Sequence, residues 1–148
     1  GQNFGARRAD RVRETFQTAA IIETVVMALM TVLCVWAPHV FIEPFTTDPR
    51  VIEMGSEYLR IVAWNFVASG FIFCCSGLFQ AMGNTWPSLL SSATRLVTFA
   101  VPAVWLSRQP WFELEHLWYL SVATYAMQAV FSFVLVRMEL RRRLVFAV

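Results

Sequence analysis

Four long apolar runs dominate the chain, and each is long enough to cross a bilayer as a helix. They cover residues 17–38, 58–83, 87–107 and 114–136. A helix crosses the bilayer core with about 20 mostly apolar residues, and every run reaches that length. The pattern predicts an all-α fold, a polytopic membrane bundle of four transmembrane helices at about 10–38, 50–83, 87–107 and 114–141.

Prolines and glycines mark the gaps between these runs. Pro38 ends the first run, and Pro49 opens an amphipathic stretch that we expect to lead along the membrane interface into the second helix. Gly83 and Pro87 flank a tight turn into the third helix, and residues 107–110 separate the third helix from the fourth. The helices are therefore expected to cross in alternating directions.

The composition indicates that lipid, not water, surrounds most of the surface. Apolar residues make up 57% of the 148 residues and charged residues 15%, against roughly 45–50% and about 25% in soluble domains. The net charge of +2 is too small to indicate a nucleic-acid partner. Cys34, Cys74 and Cys75 lie inside apolar runs without C-x-x-C spacing, which favours buried apolar side chains over a metal site. No arrangement typical of catalysis or cofactor binding occurs, so we expect no enzymatic activity and no cofactor.

Arginines are concentrated at the two ends of the chain. Eight flank the predicted bundle, namely Arg7, Arg8, Arg11, Arg13, Arg137, Arg141, Arg142 and Arg143, and two lie in the connections on the opposite side, Arg50 and Arg108. Four crossings put both termini on one side, and the positive-inside rule places that side in the cytoplasm. Most tryptophans and tyrosines fall at the predicted outer ends, as in an aromatic belt. The sequence thus predicts a multi-pass protein of the inner (plasma) membrane with both termini cytoplasmic.

Polar side chains share one face of the second predicted helix. At about 100° per residue, Asn65, Ser69, Ser76 and Gln80 fall within about 60° of one another. One interpretation is hydrogen bonding between helices. The other is the wall of a water-filled path, where polar groups never meet lipid, and it makes these four the candidate cleft-lining residues.

A separate face of the same helix carries only small residues, Gly70, Cys74, Gly77 and Ala81. Small side chains let helix backbones approach closely, so this face predicts a packing seam. Gly77→Leu is therefore expected to disrupt the packing of the helix.

Two charged residues, Glu23 and Arg95, lie well inside predicted spans. A charge near the bilayer centre costs about 3 kcal/mol on insertion scales, so each needs a partner or water. Either the two pair with each other, or Arg95 reaches toward the cytoplasmic end or caps backbone carbonyls. The functional alternative is proton or cation coupling at Glu23, although one carboxylate without a second nearby is a weak indication of an ion site.

Four segments occur in a specific order and spacing that extends over essentially the whole chain. They are GQNFGA at 1–6, FTTDPRVIEMGSEYLRI at 45–61, FQAMGNTWPSL at 79–89, and the run from Arg95 to Pro102. Together they resemble the multidrug and toxic compound extrusion family.

The resemblance implies twelve helices in two six-helix lobes, with residues 1–148 forming part of the C-terminal lobe as helices nine to twelve. It implies a secondary active antiporter that exports cationic or amphipathic xenobiotics in exchange for sodium ions or protons, although these four helices cannot transport alone. The implied partners are the lipid bilayer, the remaining eight helices and small organic cations. The coupling carboxylates of the family lie in helices outside this chain, and where some members carry an aspartate in the second helix, only Asn65 stands here.

Two other functions stay open at this point. One is a flippase for lipid-linked precursors, which shares a related architecture and would be favoured by an arginine-lined central cavity. The other is a non-transporting membrane bundle that serves assembly.

Overall fold

The computed structural model describes residues 1–145 as seven α-helices, and no β-strand forms within that range. The helices are α1 (Gln2–Gly5), α2 (Ala9–Trp36), α3 (Pro38–Ile42), α4 (Pro49–Val62), α5 (Asn65–Ala81), α6 (Trp86–Leu106) and α7 (Leu114–Arg143). Within this part of the chain α2, α6 and α7 are each long and apolar enough to cross a membrane, and α4 with α5 makes a fourth span if the bent pair counts as one. The predicted all-α membrane bundle is confirmed.

The second predicted helix is in fact two helices, α4 and α5, which meet at an angle of 49°. The backbone tightens at the junction, where the Trp64 N–H donates to the Ile61 carbonyl at 3.4 Å and the Phe66 N–H to the Ala63 carbonyl at 3.0 Å. Both bonds span three residues instead of four, as in a 3₁₀ turn. The Thr31 hydroxyl of α2 also donates to the Ala63 carbonyl, at 2.9 Å. A side chain that engages the backbone of the break is a recognised cause of such a bend.

Local chemistry sets several helix ends. The Asp48 carboxylate accepts the backbone N–H of Arg50 at 2.9 Å and so caps α4. Glu113 and His116 form a reciprocal capping box at the start of α7. Gly83, with φ of +70°, ends α5 in the left-handed conformation that closes a helix and starts the turn into α6.

Many of the buried side chains of the bundle are polar, and many of its exposed side chains are apolar. α5 packs against α2 on one side and α7 on the other, and α6 packs against α7. The buried polar residues are Thr31, Ser56, Asn65, Ser91, Thr124, Gln128, Ser132 and Glu139. Large apolar side chains are exposed along the three long helices, among them Ile21, Leu29, Leu96, Val101, Val130 and Val134. This distribution suits helices that face lipid and hydrogen-bond with one another.

Both arginine-rich segments lie at the same end of the bundle. Gly1 and Asn3 line one cavity with Met82 of the α5–α6 turn, and the Arg143 guanidinium donates to the Met82 carbonyl at 2.8 Å. A small apolar core closes this end, made of Val12, Cys75, Leu78, Phe79, Met82, Val136 and Leu144. At the opposite end aromatic rings meet, with the Tyr58 and Trp118 centroids 5.5 Å apart.

Candidate functional site

A cavity of about 370 Å³ lies between α1, α2 and α5. Two glycines of α5 meet different surroundings near it. At Gly70 the two helices are in tight contact, since a Cβ there would lie 2.9 Å from Met27 Cγ and 3.1 Å from Glu23 Cγ. Two turns further along α5, nothing lies within 4 Å of the position that a Cβ on Gly77 would take. The open space beside Gly77 belongs to the cavity.

The predicted packing seam is correct at Gly70 and wrong at Gly77. Gly70 is buried against α2, and the Cys74 Sγ lies 4.0 Å from the Phe16 carbonyl oxygen of the same helix. Gly77 is exposed and lines the cavity. The structure therefore gives no reason for Gly77→Leu to disrupt packing, because the added side chain would enter open space.

The cavity combines apolar walls with one carboxylate. Its apolar and aromatic lining includes Phe4, Val12, Phe16, Ala19, Phe73 and Leu78. Among the described residues, Glu23 supplies the only charged side chain of the lining. An apolar, aromatic pocket with a single anionic group is suited to a small cation with an apolar body.

Glu23 and Arg95 do not pair with each other, and no ion pair joins them within residues 1–145. Glu23 lies against Gly70 on α5, whereas Arg95 lies in the contact between α6 and α7. The Arg95 guanidinium stacks over the Tyr125 ring, 3.7 Å from its centroid, and its Nε has no hydrogen-bond partner in the described part of the chain. A cation–π contact of this kind offsets part of the cost of burying the charge. A functional role for Glu23 or Arg95 stays a prediction.

The four candidate cleft-lining residues are divided among different environments. Asn65 is 6% exposed, and its Nδ2 donates to the Ser121 hydroxyl of α7 at 3.0 Å. Its Oδ1 is buried and has no partner among residues 1–145. Ser69 is half-buried and donates to the Phe66 carbonyl of its own helix at 3.0 Å.

The other two candidates lie nearer the arginine-rich end. The Ser76 and Ser88 hydroxyls are hydrogen-bonded to each other between α5 and α6. Gln80 is exposed, and its Nε2 lies 3.5 Å from the Ser76 hydroxyl. None of the four lines the α1–α2–α5 cavity. Asn65 and Ser76 thus hydrogen-bond between helices, whereas Ser69 and Gln80 bond within α5. The role of all four as the wall of a path stays a prediction.

Sequence reasoning did not single out Glu139, although this carboxylate is 6% exposed. It accepts a hydrogen bond from Asn84 Nδ2 at 2.7 Å and pairs with the Arg143 guanidinium. The two interactions fasten the α5–α6 turn to the end of α7. The sequence does contain one indication of the ion pair. Glu139 precedes Arg143 by four residues, so the two side chains lie on the same helix face.

The sequence model of the MatE family matches this chain over residues 1–106. The chain belongs to the MatE family. The match includes every residue that lines the α1–α2–α5 cavity, whereas α7 lies beyond it. The resemblance seen in the sequence segments is thereby confirmed.

One curated relative is the multidrug export protein MepA of Staphylococcus haemolyticus (strain JCSC1435), which is 23% identical over 82 residues. The alignment covers 55% of this chain and 18% of that protein, so the chain matches less than a fifth of its relative. MatE proteins are transporters, a family associated with the efflux of drugs and toxic compounds. With its apolar helices, this MatE chain is a multi-pass membrane protein.

Proposed function

We propose that this MatE chain is part of a secondary active antiporter that exports cationic or amphipathic xenobiotics in exchange for sodium ions or protons. The observation that carries the proposal is the α1–α2–α5 cavity, where the Glu23 carboxylate meets apolar and aromatic walls. An organic cation needs both, because the charge requires a counter-ion and the hydrocarbon body must leave water.

The position of the cavity agrees with uptake of substrate from the inside of the cell. It lies at the end of the bundle that carries both arginine-rich segments, and the positive-inside rule assigns that end to the cytoplasm. The membrane in this proposal is the inner (plasma) membrane, and the remaining eight helices of the transporter complete the path. Coupling to sodium or protons is assigned to carboxylates on those other helices.

The lining of the cavity also favours a cation exporter over a flippase for lipid-linked precursors. Such precursors carry phosphates, which call for arginines. Within the described residues the cavity lining contains one carboxylate and no arginine. A bundle that serves assembly alone gives no reason for a carboxylate at this depth in the membrane.

The test measures binding of tetraphenylphosphonium, a permanent monocation, to the purified complete transporter. Glu23→Gln keeps the shape of the side chain and removes its charge, so we expect affinity to fall about tenfold or more. An uncharged amphipathic compound of similar size should bind equally well to both proteins. Gly77→Leu, which fills part of the cavity, should weaken both ligands.

Glu14→Gln is the matched control. Glu14 lies on the same helix, is exposed, and pairs with Arg11 at 3.0 Å outside the cavity. It should leave both affinities unchanged. Equal cation binding by wild type and Glu23→Gln would show that the cavity does not select cations, and the proposal would then lose its main support.

A further inference from the structure

A groove of about 310 Å³ lies on the outer face of α7, near the arginine-rich end. It is lined by Phe133, Val134, Arg137, Met138 and Arg141. All five are exposed, and the Arg137 guanidinium carbon lies 5.9 Å from the centroid of the Phe133 ring. The groove therefore presents two cations above an apolar floor on the surface of a membrane-spanning helix.

The two cations have no acidic partner in the groove. Arg137 and Arg141 are four residues apart, so their side chains lie on one face of the helix, about 6 Å apart at Cβ. Glu139, the carboxylate between them in sequence, is buried on another face and is held by Asn84 and Arg143. Within the described residues the lining is thus purely cationic at its polar end. Like charges at this spacing repel each other unless an anion lies between them.

We propose that this groove binds an anionic glycerophospholipid. The phosphate would lie between the guanidinium groups of Arg137 and Arg141, and an acyl chain would run along Phe133 and Val134 toward the membrane centre. Guanidinium groups suit this role because they donate several hydrogen bonds to phosphate oxygens and stack on aromatic rings. Beyond the groove, Val130 extends the apolar surface of α7 and is 66% exposed.

The depth of the groove fits the same ligand. Long basic side chains near the end of a membrane helix extend toward the headgroup layer, while their hydrocarbon stems stay beside the acyl chains. Basic pockets at the cytoplasmic ends of membrane helices are known to attract anionic headgroups. The site lies outside the α1–α2–α5 cavity and shares no residue with it. The inference is therefore independent of the export proposal.

The test measures the affinity of the purified complete protein for phosphatidylglycerol and phosphatidylcholine by native mass spectrometry of lipid adducts. Wild type should prefer phosphatidylglycerol. Arg137→Ala combined with Arg141→Ala should weaken phosphatidylglycerol binding about 30-fold, or about fivefold for each arginine. The corresponding pair of lysine substitutions should keep most of the affinity, because it keeps the charge.

Arg142→Ala is the control, since Arg142 is exposed at the same end of α7 but does not line the groove. If this control and the alanine pair lost phosphatidylglycerol affinity equally, the effect would come from overall positive charge and the site would be overturned. Unchanged phosphatidylglycerol affinity in the alanine pair would also overturn it, and a change of oligomeric state in that variant would identify the groove as a contact between copies. Inorganic phosphate should not displace the lipid at equal concentration, and displacement would reject the lipid as the ligand.

Discussion

Gly70 lies where α5 packs against α2, and it provides a direct test of how tightly the two helices fit. In Gly70→Ala the new Cβ would lie 2.9 Å from Met27 Cγ and 3.1 Å from Glu23 Cγ. Carbon atoms in contact prefer separations of about 3.5–4.0 Å, so both neighbouring side chains must move. Gly77 is the matched position, because the same substitution there meets nothing within 4 Å.

The magnitude follows from two opposing effects. Alanine in a helix is favoured over glycine by about 0.5–1 kcal/mol, and this gain is common to both substitutions. Added volume in a packed contact costs about 1–3 kcal/mol, and only Gly70→Ala incurs this cost. We therefore expect Gly70→Ala to be less stable than Gly77→Ala by about 1–3 kcal/mol. The difference between the two variants isolates the packing effect because the helix propensities cancel.

The assay is reversible unfolding of the purified complete protein in detergent micelles, followed by the loss of helical circular dichroism. Gly77→Ala should equal or exceed the wild type in stability, and Gly70→Ala should fall below Gly77→Ala. Gly70→Val would extend the series, because its larger side chain should cost more. Equal stabilities of the two alanine variants would refute the tight contact at Gly70.

Three other predictions concern the remaining contacts and the orientation of the chain. Ser91→Ala should destabilise the fold by about 1 kcal/mol, because it leaves the buried Ser132 hydroxyl without its 2.7 Å partner. In the same unfolding assay, adding Ser132→Ala should restore part of the lost stability. Asn84→Ala should lower the free energy of unfolding by about 1.5–3 kcal/mol, because the amide donates to the buried Glu139 carboxylate at 2.7 Å. Thr85→Ala, at the neighbouring exposed position, should leave the stability nearly unchanged. A membrane-impermeant thiol reagent added outside intact cells should label a cysteine placed at Thr47 but not one placed at Thr85, and the reverse pattern would contradict the cytoplasmic assignment of the termini.

Three of the four predicted long helices, α2, α6 and α7, could be predicted from sequence because a long apolar run is a strong and local pattern. The bend between α4 and α5 could not. The segment from Arg60 to Phe66 contains neither proline nor glycine, the usual local causes of a kink. The Thr31 hydroxyl that engages the Ala63 carbonyl comes from a residue 32 positions away in the chain. Only the neighbouring helix reveals that interaction.

For the polar residues too, the sequence of one helix predicts the face on which they lie, whereas the neighbouring helices decide what they contact. Periodicity placed four polar groups on one face of the second predicted helix. It could not identify their partners, because an angle on one helix does not give the order of the helices in the bundle. Arg95 therefore lies over the Tyr125 ring and not beside Glu23, since α6 packs on α7 while α2 packs on α5.

The failure of the seam at Gly77 is linked to the candidate site, because Gly77 lines the cavity. A face of small residues produces close contact only where atoms of the neighbouring helix lie against it. Side chains of α2 lie against Gly70, whereas nothing lies within 4 Å of a Cβ placed on Gly77, and the open space there belongs to the cavity that Glu23 also lines. At Gly77 the absence of a side chain leaves open space in the cavity and makes no helix contact. The same residue type, seven positions apart on one face, thus lies in a packed contact at Gly70 and beside a cavity at Gly77.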